Sequence, residues 1–413
     1  MKIRRKILML IPELGYGGAE KSFLRLTHLL SEHHDVQIVV FQRHYAKGNY
    51  AQSEENLTLP ITILDDQEER GRFSRWKNRW KNFSRLKKES DICISFLTGA
   101  NILNASVFGK SKTVVSMRGS RHFDPNFSYS KRLLYEFILD PLTFMLSDRI
   151  VSISDGLTNE LGLHVGKQTK KKIVTIELFI DAKKMIDYCK ESVEDNIEKL
   201  VDQPLIIAIG RLSQEKGFIP LITVFSKLLV ERPDAKLMII GDGPEKDELT
   251  QHCIDLNVQY CEDINDTENS SVLLIGYRKN PCRYFKFANC FVLSSLTEGF
   301  SNTTLEALSA GISIIAVNSP WGPRSILSEY PENISEPYPT KKATKTDYGL
   351  LMPRIDLSEY QEEWKTYLIN ILEQPKNQEN ILNISKKRLF DFDQSIVGKK
   401  WFDLIEELEN NEK

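Results

Sequence analysis

The sequence predicts an α/β protein built as two successive doubly wound units, and three observations carry that prediction. Short continuous runs of Val, Ile and Leu recur between helical patterns, the pattern restarts near residue 200, and a Gly-bearing turn follows the first strand of each half. Continuous apolar strands alternating with helices are what a parallel sheet covered on both faces requires. At 413 residues the chain is too long for one ordinary core and comfortable as two.

In order, the first half offers strands at KILMLIP (6–12), VQIVVF (36–41), ITILD (61–65), ICISFL (92–97), TVVSM (113–117) and RIVSIS (149–154). The helix AEKSFLRLTHLLSE (19–32) lies between the first two. A polar connector, DAKKMIDYCKESVEDNIEKL (181–200), reads as helical. Then the pattern begins again with PLIIAIG (204–210), the helix FIPLITVFSKLLVER (218–232), KLMIIGDG (236–243), SVLLIG (271–276), CFVLSS (290–295), SIIAV (313–317) and GLLMP (349–353). These patterns place one domain at 1–180 and a second at 181–394. The final stretch SIVGKKWFDLIEELEN (395–410) has apolar residues at helical spacing. It needs a surface to cover, and residues 395–413 are expected to pack back on the first domain.

Composition excludes several classes. Hydrophobic residues at 41% and charged residues at 27% are globular values. With 55 Lys+Arg against 57 Asp+Glu, nothing pulls the whole chain toward nucleic acid. The six cysteines form no C-x-x-C pair and have no histidines at zinc spacing, so they read as reduced core thiols of a cytoplasmic protein. The N-terminal apolar run is shorter than the ~7–15 residues of a signal peptide core. No stretch approaches the ~18 apolar residues of a spanning helix, so the chain is expected to be soluble or peripheral to a membrane. The only D-x-D, Asp391-Phe392-Asp393, lies far from the turns considered next and reads as a helix boundary; no metal is expected.

Ligands of doubly wound sheets bind beyond the carboxyl ends of the strands, which directs attention to the turns there. GYGGAE (15–20) removes side chains at Gly17 and Gly18, just before a helix whose free N–H groups suit an anion. It departs from the dinucleotide fingerprint, because Glu20 stands where the last glycine belongs. GRLSQEKG (210–217) sets Arg211 and Lys216 five residues apart across a turn, a fork and a point charge that together suit a diphosphate. EGFSNTTLE (298–306) places two carboxylates around a helix start. Glu306 fits a capping box with Thr303 as N-cap; Glu298, beside Gly299, has no such structural explanation.

Together with IIGDGPEKDEL (239–249), LLIGYRKNP (273–281) and YGLLMP (348–353), these segments resemble a retaining glycosyltransferase of the family-four type. The first half matches more loosely, through GGAE (17–20) and SDRIVSIS (147–154). The resemblance implies the GT-B fold, two Rossmann-like domains facing each other across a cleft. It implies that Arg211 and Lys216 hold the donor diphosphate, Glu306 the ribose hydroxyls and Glu298 the donor sugar. Backbone N–H groups of Phe300, Ser301, Asn302 and Thr303 would face phosphates and sugar, Gly17 and Gly18 would close from the other domain, and Tyr277 and Arg278 would lie along the base. The donor would be a nucleotide sugar, UDP-linked, with no metal and no further cofactor. Retention would follow a front-face displacement in which Glu298 orients rather than attacks. Many relatives carry a histidine after the strand that is TVVSM here; this chain has Arg118 there and His122 four residues on. Both are candidates for contact with sugar or acceptor, His122 as a catalytic side chain. TIELFID (175–181) lacks the Pro-Asn common before the equivalent aspartate.

FSRWKNRWKNFSRLKK (73–88) puts Phe73, Trp76, Trp80, Phe83 and Leu86 on one helical face, with Arg72, Lys87 and other cations over much of the rest. That pattern suits either a core-facing helix or contact with an anionic membrane surface through 72–88. The expected function is transfer of a hexose or N-acetylhexosamine to a saccharide acceptor, a lipid-linked or cell-surface glycan precursor, at the inner face of the membrane. Two alternatives stand beside it: a sugar-nucleotide epimerase of the same fold, and a non-catalytic sugar-nucleotide-binding subunit.

Overall fold

The computed structural model describes residues 4–15, 17–42, 59–65, 71–123, 128–331 and 339–410. They fall into two units. One takes the chain up to His122, then up to Phe179, and again from Val397; the other is Ile180–Ile396 with Phe123.

In the first unit, strands β1 (Lys6–Ile11), β2 (Asp35–Val40), β3 (Ile61–Ile63), β4 (Ile92–Phe96), β5 (Lys112–Met117), β6 (Arg149–Ser152) and β7 (Ile173–Thr175) make one sheet. Its order is β3-β2-β1-β4-β5-β6-β7, all parallel. Successive residues of β1 serve opposite faces, as strand geometry demands. Ile7, Met9 and Ile11 enter one core with Phe23, Leu26 and Leu30, while Leu8 and Leu10 enter another with Phe83 and Leu103. That double duty is why the strand reads as an unbroken apolar run. Helix α1 (Gly18–Ser31) supplies Phe23, Leu26 and Leu30. The C-terminal helix Gln394–Asn410 buries Val397, Trp401, Leu404, Ile405 and Leu408 in the same core.

Helix α2 (Arg72–Lys88) is the basic segment. Phe83 is buried against Leu8 and Leu10, with Trp76 and Leu86 packed alongside, whereas Phe73 and Trp80 are exposed. Most of its apolar face therefore belongs to the core. The Arg72 side chain lies outside the described residues. One cation departs from the sequence expectation: Lys87 is buried. Its ammonium donates to Asn104 O at 2.6 Å, Val107 O at 2.9 Å and Thr113 Oγ1 at 2.8 Å. Burial lowers its pKa, and all three donors of the ammonium are used. Periodicity could not show this, because Lys87 looks inward one residue after Leu86.

In the second unit, β8 (Leu205–Ile209), β9 (Lys236–Ile240), β10 (Tyr260–Cys261), β11 (Val272–Leu274), β12 (Cys290–Leu293), β13 (Ser313–Val317), β14 (Thr344–Lys345) and β15 (Leu350–Met352) form the sheet β10-β11-β9-β8-β12-β13-β15-β14. Among the described strands of this sheet only β14 runs antiparallel. The connector that opens this unit folds as two short helices, α3 (Ala182–Tyr188) and Asp195–Glu198, the first capped by Asp181. Asp393 accepts from Ala182 N at 3.0 Å and Asp391 pairs with Arg388 at 3.0 Å, so both acids of the D-x-D have structural partners.

The expectation of six reduced thiols is corrected for two. Cys189 and Cys282, 93 residues apart, form a disulfide with Cα atoms 4.7 Å apart. Such a pairing depends on the tertiary approach of Ala182–Tyr188 to the turn Pro281–Phe287 and leaves no spacing signature. The other four cysteines are free and buried, and burial pushes the Cys93 and Cys290 thiols up to about 12. Among the described residues no helix is long and apolar enough to cross a membrane.

Replacing Lys87 by Met leaves three acceptors without their donor. Stability in urea should fall by about 3 kcal/mol; a change under about 1 kcal/mol would mean that water replaces the ammonium freely.

Candidate active site

In the second sheet β9 lies on one side of β8 and β12 on the other, so the chain leaves β8 and β12 in diverging directions. The gap at the carboxyl ends of these neighbours is the binding position of a doubly wound sheet. Arg211 and Lys216 follow β8; Glu298 and the start of the helix Asn302–Ala310 follow β12. Here α4 is Phe218–Leu229 and α5 is Asn302–Ala310.

Backbone and side chains join the two turns. Ser294 Oγ donates to Lys216 O at 2.7 Å, and Leu296 N donates to Glu215 O at 2.8 Å. Gly217, the residue before α4, has φ +64°, a conformation costly for any residue with a Cβ. A Cβ there would also stand 2.5 Å from Ser294 O. Only glycine lets the turns touch.

Across this junction Lys216 Nζ lies 2.6 Å from Glu298 Oε1, and Ser295 Oγ donates to the same oxygen at 2.9 Å. Both charged side chains are partly buried, which raises the strength of the pair above that of a surface salt bridge. The Glu298 backbone is fixed as well. Its N–H donates to Pro320 O at 3.1 Å, and its carbonyl accepts from Trp321 N at 2.6 Å and Gly322 N at 3.0 Å. Glu298 thus has the structural partners that its sequence context did not reveal. The serines at the end of CFVLSS were the available signal: small hydroxyls directly after a buried strand. Arg211 is exposed beside this pair in sequence.

The N-cap of α5 is Ser301, not Thr303. Its Oγ accepts from Thr304 N at 3.2 Å. Thr304 then occupies the third helical position, and Glu306 lies beyond the reach of a capping box. Ser301, Thr303 and Thr304 are neighbouring hydroxyl residues, any of which can cap, so residue type alone does not single out Ser301. Glu306 is only 3% exposed. Helical side chains lean toward the N-terminus, so its carboxylate sits under the first turn. Phe300, Ser301 and Asn302 are buried and Thr303 is half-buried.

Tyr277 and Arg278 follow β11, two strands from β8, or roughly 10 Å away by strand spacing. Tyr277 is exposed, and Arg278 Nε stands 3.9 Å from Glu194. Burial opposes the charge on Glu194, yet its own backbone N–H, the Tyr284 hydroxyl and Arg283 hold it below the usual carboxylate range.

In the first unit Gly17 and Gly18 follow β1, with Gly17 at the N-cap of α1. The close neighbour there is Glu20, whose Oε2 would lie 2.4 Å from a Cβ on Gly17. A carboxylate therefore already sits over this helix start, where the dipole favours it. Arg118 follows β5 and stacks on Phe96 at 3.6 Å. Among the described residues its buried Nε has no hydrogen-bond partner, and burial pulls the guanidinium below its usual pKa. His122 is half exposed, 3.6 Å from Glu136.

The fold is the GT-B architecture of two Rossmann-like units. Residues 190–346 match the family described as glycosyl transferases group 1. An uncharacterized glycosyltransferase of Methanocaldococcus jannaschii is 34% identical over 58% of this chain and 59% of its own length, so the chain spans less than two thirds of that relative. An α-1,4-N-acetyl-D-galactosaminyltransferase of Campylobacter jejuni, named for an undecaprenol-diphosphate-linked saccharide, is 24% identical over 98% of this chain and 99% of its own. Among solved structures, Anabaena HepE in complex with UDP and glucose superposes with a TM-score of 0.75 at 16% identity, covering 98% of this chain and 100% of that one.

Gly217→Ala should destabilise the second unit by about 1–2 kcal/mol from the left-handed backbone alone, and further through the clash with Ser294 O. Gly109→Ala, where a Cβ meets nothing within 4 Å, serves as the neutral comparison. Equal melting temperatures for the two variants would contradict the close approach at Ser294.

Proposed function

We propose that the chain is a retaining, metal-independent glycosyltransferase that moves a hexose or N-acetylhexosamine from a UDP-sugar to a saccharide acceptor. The observation that carries this reading is the joining of the β8 and β12 turns, which sets Lys216 against Glu298 and puts both beside the start of α5. In this reading Arg211 and Lys216 take the donor diphosphate. They supply, with the helix N-terminus, the positive charge that the leaving group needs as the glycosidic bond breaks. Glu306 accepts from the ribose hydroxyls, and Tyr277 and Arg278 flank the base. The N–H groups of Phe300 to Thr303 face the phosphates and sugar.

Glu298 contacts the donor sugar. Its Oε1 already holds two donors, Lys216 and Ser295. An oxygen so engaged is a poor nucleophile and a good orienting group. Displacement on the front face, with a phosphate oxygen taking the acceptor's proton, fits a carboxylate in that role. Arg118, stacked on Phe96 with its Nε unpartnered, and His122 serve sugar or acceptor from the first unit; Gly17 and Gly18 close on the donor. The acceptor is a lipid-linked or cell-surface glycan precursor, by analogy with the Campylobacter relative, and the enzyme works on the cytoplasmic side of the membrane.

Glu298→Gln should lower turnover by about 100-fold or more while UDP affinity stays within about threefold. Arg211→Ala should weaken UDP binding by about tenfold or more. Full activity in the first variant, or unchanged affinity in the second, overturns the corresponding role. Transfer assays with a panel of UDP-sugars, with and without saccharide acceptors, test the reaction itself. Sugar isomerisation without acceptor would make the protein an epimerase. Treatment with EDTA should leave the rate unchanged, and a rate restored only by added divalent metal would refute the metal-independent clamp.

A further inference from the structure

The segment Tyr129–Met145 of the first unit is inverted relative to an ordinary surface helix. It runs as a helix to Leu134, a π-helical turn over Tyr135–Leu139 and a helix to Met145. Its acids face the protein: Asp140 is buried and meets Arg121 at 3.3 Å, and Glu136, nearly buried, faces His122 at 3.6 Å. Its large apolar side chains face out. Leu134, Phe137, Ile138, Leu142 and Met145 are 44%, 56%, 57%, 46% and 56% exposed. Leu134, Ile138 and Leu142 recur every four residues, which lines them along one face. Soluble proteins seldom leave such a contiguous patch uncovered unless something docks on it.

Beside this patch lies a short basic stretch. The turn Gly162–His164 abuts it, with the His164 ring 4.8 Å from the Phe137 ring, and Leu163 on that turn is 73% exposed. The chain continues as Lys167-Gln168-Thr169-Lys170-Lys171-Lys172 with no acid. Lys172 anchors the stretch to the far end of the segment, donating to Met145 O at 2.9 Å and Ser147 O at 2.8 Å. Lys167, Lys170 and Lys171 are exposed, as is Lys131 at the near end. Apolar side chains bordered at both ends by lysines match the two layers of an anionic bilayer surface, acyl boundary and headgroup.

We infer that this face of the first unit docks on an anionic lipid bilayer, with Leu134, Phe137, Ile138, Leu142 and Met145 entering the interface and Lys167, Lys170 and Lys171 on the headgroups. The docking element is therefore distinct from α2, most of whose apolar face is committed to the core. This inference stands independently of the reaction proposed above, since all its residues lie outside the donor site.

The test is co-sedimentation of the full chain with vesicles of phosphatidylcholine alone, or with about one-third phosphatidylglycerol. The parent should bind the anionic vesicles and release as salt rises. The pairs Phe137→Ser with Ile138→Ser, and Lys170→Glu with Lys171→Glu, should each weaken binding by about tenfold or more. Because these side chains are exposed, melting temperature and UDP affinity should match the parent, which separates lost docking from lost folding. Parent protein that stays in the supernatant with both vesicle types overturns the inference, as do variants that bind like the parent. A lipid-free dimer that the Phe137→Ser, Ile138→Ser pair dissolves would assign the face to a second copy of this chain and overturn it equally.

Discussion

The second unit is governed by one topological constraint. β8 and β12 lie side by side, yet β8 leads on to β9 at one flank and β12 to β13 at the other. Where the chain parts at their carboxyl ends, the sheet cannot fill the space, and two turns must meet instead. Gly217 permits the approach, Ser294 and Leu296 bond it shut, and Lys216 faces Glu298 across it. The chemistry proposed for the site uses the residues that this meeting brings together. A cation and an anion held at 2.6 Å form a charged pair that a diphosphate and a sugar hydroxyl can each approach from one side.

The surrounding scaffold holds its charges by saturating them. Lys87 in the first unit and Lys236 in the second each donate to three acceptors. Lys376 does the same with the carbonyls of Val201, Gln203 and Phe287. A buried ammonium is tolerable when every proton has an acceptor. Burial lowers the pKa of all three. Arg118 differs: its stacking on Phe96 holds the guanidinium in place, while among the described residues Nε has no hydrogen-bond partner.

Much of this was legible in the amino-acid order, because parallel strands buried on both faces must be continuously apolar and the turns after them must carry glycine. The segments holding Arg211, Lys216, Glu298 and Glu306 could be found that way. What stayed hidden depends on tertiary approach. The Lys216–Glu298 contact joins residues 82 apart. The cap at Ser301 was a choice among adjacent hydroxyls, and the disulfide of Cys189 with Cys282 spans 93 residues without a motif. The outward face of Tyr129–Met145 was equally invisible, because apolar periodicity reports that a helix has a face and not which way it turns.

The most direct measurement of the central claim is a crystal structure of the full chain with UDP. The account predicts diphosphate oxygens within about 3 Å of Lys216 Nζ and the Arg211 guanidinium. It also predicts the ribose hydroxyls on Glu306, at the gap between the β8 and β12 turns. A diphosphate seated elsewhere, with neither cation touching it, would contradict the account.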